Sequence, residues 1–199
     1  MTHTLRQIQG LLKKTSVVRT ADVEKLGIHR KALSTLVRDG TVERIGRGLY
    51  RANEAGATEH HNFAAAAKAV PKGVICLLSA LTFHGLTTQL PHEVWIAVQS
   101  HSWIPAAKWP KMRVVQMSHG AMKLDIEEHV VEGVTVKVFS AAKTVVDCFR
   151  YRRLVGLDVA LEALRDFLSR RQRNVEHLQK LASRLHIATV MRPYLEALA

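Results

Sequence analysis

The chain has 199 residues, room for one large domain or a small one joined to a medium one, and its 47% hydrophobic and 23% charged residues exclude extensive disorder. It carries 29 Lys and Arg against 17 Asp and Glu, a net charge of +12 that attracts polyanions, of which nucleic acid is the commonest inside cells. No run approaches the roughly 18 apolar residues of a membrane span, and the opening Met-Thr-His-Thr-Leu-Arg lacks the apolar run of a signal peptide, so no membrane association and a cytoplasmic location are expected.

Leu5, Ile8, Leu11 and Leu12 recur at helical spacing and predict a first helix over about 4–14. A second, over about 21–26, follows Thr20 as its N-cap, has Asp22 in its first turn and ends at Gly27. A third covers about 29–38 and stops before Gly40. In the next segment Val42, Ile45, Leu49 and Tyr50 flank Gly46-Arg47-Gly48, the pattern of a tight β-hairpin whose glycines supply positive-φ turn conformations. Residues 53–58 are small and polar and read as a linker.

Beyond the linker, helices are expected over 63–69 and about 74–84, and strands over 94–98, 113–117, 129–131 and 134–139, the last two joined by a Glu132-Gly133 turn. Helices follow at about 140–151, 157–171, 175–185 and 189–198, with Leu157, Leu161, Leu164 and Leu168 forming one face of the second. The fold class is therefore α+β. An N-terminal winged helix-turn-helix (1–52) and a linker (53–58) precede a larger α+β domain (59–199) of helices, antiparallel strands and C-terminal helices.

Charge placement gives the first domain a function. Residues 1–55 hold 11 basic and 5 acidic side chains, the same net +6 as the remaining 18 and 12, in under half the length. On the third helix Ile28, Ala32, Leu33, Leu36 and Val37 fall on one face and should pack inward. The other face carries Arg30, Lys31, Ser34, Thr35 and Arg38 without an acid, whereas a merely solvated face usually mixes signs. Bases and hydroxyls of this kind neutralise phosphates and reach base edges in the major groove. On the hairpin lie Arg44, Arg47 and Arg51, with Arg47 between two glycines at the tip, placed for a phosphate or a narrow minor groove. Glu24 and Glu43 should point away from DNA.

The block Ala21-Asp-Val-Glu-Lys-Leu-Gly-Ile-His-Arg-Lys-Ala-Leu-Ser-Thr-Leu-Val-Arg-Asp-Gly40, followed by Val42-Glu-Arg-Ile-Gly-Arg-Gly-Leu-Tyr-Arg51, resembles the AbiEi family, antitoxins and autoregulators of type IV toxin–antitoxin (abortive infection) systems. Leu78-Ser-Ala-Leu-Thr-Phe-His-Gly-Leu-Thr87 and Val134-Thr-Val-Lys-Val-Phe-Ser-Ala-Ala-Lys-Thr-Val-Val-Asp147 look like two further blocks of the same family. Two positions depart from the pattern: His29 stands where a serine cap is frequent, and Lys143 where arginine is common. The resemblance implies a repressor of its own operon that binds inverted repeats in double-stranded operator DNA. It also implies neutralisation of a nucleotidyltransferase-like toxin without a stable complex.

Several other side chains are of types that can carry chemistry. Ser79 and His84, five residues apart on one helix, point some 140° apart and cannot pair directly. Bonds from Ser79 and Thr82 to backbone carbonyls, and a helix end at His84-Gly85, explain them without catalysis. His60, His61, His84 and His92 lack metal-ligand spacing, and the first two read as solvated linker histidines. Asp147 reads as a capped or salt-bridged aspartate, with a nuclease-like metal carboxylate as the alternative. Cys76 and Cys148 sit among apolar residues as buried thiols. No catalytic, cofactor-binding or metal residue is expected. Arg150, Arg152 and Arg153 form a candidate second basic surface, while Glu162 with Arg165 and Asp166 with Arg170 have the spacing of intrahelical pairs. Two rival readings stay open: a stand-alone regulator whose C-terminal domain senses a ligand or dimerises, and an enzyme acting on nucleic acid.

Overall fold

The computed structural model describes residues 7–8, 10–12, 14–52, 60–102 and 109–198, so the expected linker at 53–58 lies outside the described residues. The chain divides into two compact units. One comprises Met1–Gly73, Trp103–Met112 and Glu128–Val136, the other Val74–Ser102, Arg113–Glu127 and Lys137–Ala199. The fold is α+β.

In the first unit, residues 7–8, 10–12 and 14 are helical and constitute α1. There follow β1 (Val17–Arg19), α2 (Thr20–Glu24), α3 (Lys31–Arg38), β2 (Val42–Gly46), β3 (Leu49–Ala52) and α4 (His61–Ala69). The expected hairpin is present, and β1, absent from the expected elements, joins it. Val17, Val18 and Arg19 pair antiparallel with Arg51, Tyr50 and Leu49, giving a three-stranded sheet in the order β1-β3-β2. Three residues are too few for a period-2 signal, although two adjacent buried valines suit a strand. Ile8, Leu12, Val18, Val23, Ile28, Leu33, Leu36 and Val42 make one core that fixes the helices against the sheet. Truncating Leu33 or Leu36 to alanine in such a core costs about 2–5 kcal/mol.

Helix α4 is tied into this unit by an ion pair and a hydrogen bond. Lys68 Nζ meets Asp22 Oδ2 at 2.6 Å, and His61 Nδ1 meets Glu132 Oε2 at 2.6 Å. His61 is therefore buried rather than a solvated linker histidine, because it opens a helix against the Glu132-Gly133 turn. The same turn accepts the Ser16 amide at the Glu132 carbonyl, 3.2 Å away. A Cβ on Gly133 would stand 1.8 Å from the Lys14 carbonyl oxygen, so only glycine fits there.

The remaining elements are β4 (Val74–Ile75), α5 (Leu77–Phe83), β5 (Val94–Gln99), β6 (Met112–Met117), α6 (His119–Met122), β7 (Ile126–Val131), β8 (Val134–Phe139), α7 (Ala141–Arg150), α8 (Arg152–Val155), α9 (Leu157–Ser169), α10 (Val175–Arg184) and α11 (Ala188–Leu198). The helix expected from 74 begins instead as β4, which lies at the centre of a five-stranded sheet of order β6-β5-β4-β8-β7. It runs antiparallel to β5 and parallel to β8. On α9 the buried face is Val159, Ala160, Ala163, Leu164 and Phe167, so of the expected leucine row only Leu164 is buried, Leu161 and Leu168 lie at the margin and Leu157 is exposed. The small alanines let α9 approach its neighbours closely, which a count of leucines does not register.

Candidate nucleic-acid interface

Helices α2 and α3 form the helix-turn-helix. Thr20 is the first residue of α2 rather than its cap. Arg19, in extended backbone, takes the cap position, and its amide donates to Asp22 Oδ2 at 3.0 Å. Burial pushes the Asp22 carboxyl upward, but the Lys68 hydrogen bond, the Arg19 amide and the Lys68 charge outweigh it and hold the group below the ordinary carboxylate range.

Helix α3 begins at Lys31, two residues later than expected, with Arg30 in the cap position in helical backbone and no side-chain cap. The Lys31 amide donates to His29 Nδ1 at 3.2 Å, so the histidine standing in place of the frequent serine accepts one of the first amides of the helix. Leu33 and Leu36 are buried. Val37, expected in the core, is 37% exposed, since it falls at the margin of the stripe that those two leucines centre. Arg30, Lys31, Ser34 and Arg38 are exposed and Thr35 is half-buried. No acidic residue lies within α3. Asp39 follows it, and its Oδ1 accepts the Thr41 amide at 3.0 Å.

The hairpin connection is Arg47-Gly48. Of the two glycines only Gly48 has a positive φ, +69°, while Gly46 ends β2. Arg47 is exposed at the tip. Arg44 is exposed and donates from Nε to the Gly46 carbonyl at 3.3 Å. Arg51 differs from the other arginines of the hairpin. It pairs with Glu43 at 2.5 Å and lies over the Trp109 ring at 5.5 Å, so Glu43 neutralises an arginine on the next strand.

The candidates of the second unit have structural partners. Ser79 Oγ accepts the Trp95 amide at 2.9 Å, an amide rather than the carbonyl expected, and Thr82 donates to the Leu78 carbonyl. His84 Nε2 lies 2.7 Å from the Phe139 carbonyl. Asp147 forms a fully buried pair with Lys143, whose Nζ also sits 4.1 Å over the Phe139 ring. Burial pushes the Asp147 carboxyl up, against the Lys143 and Arg150 charges, and burial likewise raises the Cys76 and Cys148 thiols, both free. Among the described residues no group of three His, Cys, Asp or Glu is arranged to hold a metal ion.

The three arginines expected to share a second basic surface have different surroundings. Arg150 faces Asp147 Oδ1 at 4.0 Å, Arg152 donates to the Phe149 carbonyl at 2.9 Å, and Arg153 is exposed. The intrahelical pairs expected on α9 are replaced by bonds to a distant loop. Glu162 accepts from the Thr88 amide at 2.9 Å and from the Thr87 and Thr88 hydroxyls, while Arg170 donates to the carbonyls of His84 and Gly85. Helical spacing gave no signal for either contact.

A helix-turn-helix whose second helix presents basic and hydroxylated side chains, followed by a hairpin with an arginine at its tip, is the arrangement of a helix-turn-helix regulator class. Within that class, residues 6–53 match the family model described as "Transcriptional regulator, AbiEi antitoxin", so the N-terminal resemblance is shown there, while the blocks at 78–87 and 134–147 lie outside the matched segment. The fold is similar to that of RV2827C protein from Mycobacterium tuberculosis, with a TM-score of 0.59 and 16% identity over 92% of this chain and 72% of that one. At that identity the likeness is one of fold. No curated protein matches the chain. Among the described residues no helix is long and apolar enough to cross a membrane.

Proposed function

We propose that the protein is an antitoxin of a type IV toxin–antitoxin system. It represses its own operon by binding inverted repeats in operator DNA through a winged helix-turn-helix, and it neutralises a nucleotidyltransferase-like toxin without a stable complex. The observation that carries the DNA reading is the exposed side of α3, with Lys31, Ser34 and Arg38, and Arg30 just before it, inside the segment that matches the regulator family. The reaching groups are Lys31, Ser34, Thr35 and Arg38 from α3, Arg30 before it, and Arg44 and Arg47 from the hairpin. In this reading the protein acts in the cytoplasm, is not an enzyme and needs no metal or nucleotide.

Titration of the full chain with a labelled fragment of its own promoter tests this. Alanine at Arg30 and Lys31 together should abolish discrimination between operator and scrambled DNA, with a loss of about 1–3 kcal/mol for each bidentate base contact removed. Operator affinity equal to wild type in that folded variant refutes α3 as the reading helix.

The family match ends at residue 53, which favours a second reading as a stand-alone regulator. Co-expression with an adjacent nucleotidyltransferase-like gene separates the two. Rescue of growth without a complex on gel filtration supports the antitoxin, and failure to rescue supports the stand-alone regulator.

A further inference from the structure

The hairpin tip is fastened to the start of α2 through Thr20. The Thr20 amide donates to the Gly48 carbonyl at 2.9 Å, and the Thr20 hydroxyl lies 3.5 Å from the same oxygen. The pairing of Arg19 with Leu49 delivers Thr20 to this place. Gly48 holds φ +69°, and a Cβ there would stand 3.2 Å from Thr20 Oγ1, so tip and helix start are in contact. Arg47 is the neighbouring residue, and its side chain is exposed.

We infer that Thr20 is the positioning residue for Arg47, strapping the hairpin tip to the first turn of α2 so that Arg47 meets a phosphate of the bound duplex from a fixed backbone. The inference rests on the DNA-binding reading above. The first amides of a helix have no partner within it, so the Thr20 N–H is available to hold the tip without weakening α2. A tip ordered before DNA arrives spares the complex the entropy of ordering it, and that is how a residue that touches no DNA raises affinity.

Thr20→Pro is the discriminating variant. Proline is favoured at the first helical position, and Arg19 already has the extended backbone that precedes proline (φ −93°, ψ 154°), so the helix is kept while both donors are lost. In full-length protein, T20P should weaken promoter-fragment binding about three- to tenfold and lower the salt slope by roughly one, as R47A does. T20P combined with R47A should bind no more weakly than R47A alone, and T20S, which keeps both donors, should match wild type. Wild-type affinity and slope in T20P, or losses that multiply in the double variant, overturn the strap. If the wild-type chain binds no DNA the functional reading falls, and the strap is then decided in the free protein by amide exchange. A slow Thr20 amide, with Arg47 and Gly48 more mobile in T20P, supports it, and a fast Thr20 amide overturns it.

Discussion

Arg170, at the end of α9, donates from Nη2 to the carbonyl of Gly85 at 2.9 Å and also bonds the carbonyl of His84, the residue that caps α5. A guanidinium at this helix end satisfies carbonyls that have no partner within α5 and opposes the negative pole of its dipole. Glu162, two turns earlier on α9, holds the Thr87 and Thr88 segment that follows. The block at 78–87 is thus fastened by a charge of each sign. Arg170→Ala and Glu162→Ala should each lower stability by about 1–3 kcal/mol, since hydrogen bonds to charged groups are lost in each. Thermal unfolding checks this. Promoter binding at a temperature where both variants are folded should stay at the wild-type level, because neither residue belongs to the helix-turn-helix.

The buried Lys143–Asp147 pair predicts a different mutational pattern. Both side chains are fully buried, and Asp147 Oδ1 faces Arg150 at 4.0 Å. Removing one partner leaves an uncompensated charge in an apolar core, so Lys143→Met or Asp147→Asn alone should cost about 3–5 kcal/mol. Lys143→Met combined with Asp147→Leu should match or exceed wild-type stability, because the desolvation penalty disappears with the charges. Urea unfolding with an unchanged m-value tests both expectations. A double variant as unstable as the singles refutes the account.

What the sequence showed and what it hid follow from the range of each interaction. Helices α3, α7, α9 and α10 were legible because eight or more residues repeat a local period. The exposed basic side of α3 was legible for the same reason, and the Glu132-Gly133 turn was legible from its residue types, both of which take positive φ. Strands β1 and β4 were not, since three and two residues carry no period and each is fixed by a partner far along the chain. Spacing rules paired Glu162 with Arg165 and left His61 in solvent because they see neighbours on one helix. The contacts formed, Glu162 to Thr88 and His61 to Glu132, span 74 and 71 residues. Val37 and Leu157 went to the wrong side because a hydrophobic residue at a stripe's edge is scored like one at its centre.

Asp22 gives the first unit a predictable acid sensitivity. Its folded carboxyl lies below the ordinary value of 3.8, because Lys68 and the Arg19 amide outweigh burial. A depressed acid binds fewer protons folded than unfolded, so its contribution is fully present above the unfolded value and is lost as pH falls through the folded one. Asp22→Asn should therefore be less stable than wild type at neutral pH by about 1–2 kcal/mol, the worth of a charge-assisted hydrogen bond. The difference should shrink below about pH 4 and vanish once Asp22 is protonated in both states. Denaturation midpoints of the two proteins across pH 2–7 report this, and a gap independent of pH contradicts it.

The arginines of the hairpin should differ in their effect on DNA binding although they carry the same charge. Arg47 is exposed at the tip and Arg44 is exposed on β2, whereas Arg51 is held by Glu43 at 2.5 Å and covers Trp109. A cation already neutralised by a neighbouring carboxylate has little counterion exchange left to offer a phosphate. Each unpaired cation that meets one phosphate contributes about 0.9 to the slope of log affinity against log salt. Arg47→Ala, Lys31→Ala and Arg38→Ala should each flatten that slope by roughly one, and Arg44→Ala by up to the same amount. Arg51→Ala should leave the slope near wild type and show instead as a loss of stability, below about 1 kcal/mol for a pair this exposed. Glu43→Ala separates placement from pairing: it frees Arg51, and a steeper slope in that variant means that Arg51 stands within reach of the backbone and is silenced by Glu43. An unchanged slope means that Arg51 points away from DNA. Anisotropy titrations of the promoter fragment between about 50 and 300 mM salt measure all of these slopes. Equal flattening by Arg47→Ala and Arg51→Ala contradicts the assignment of the tip as the DNA-facing end of the hairpin.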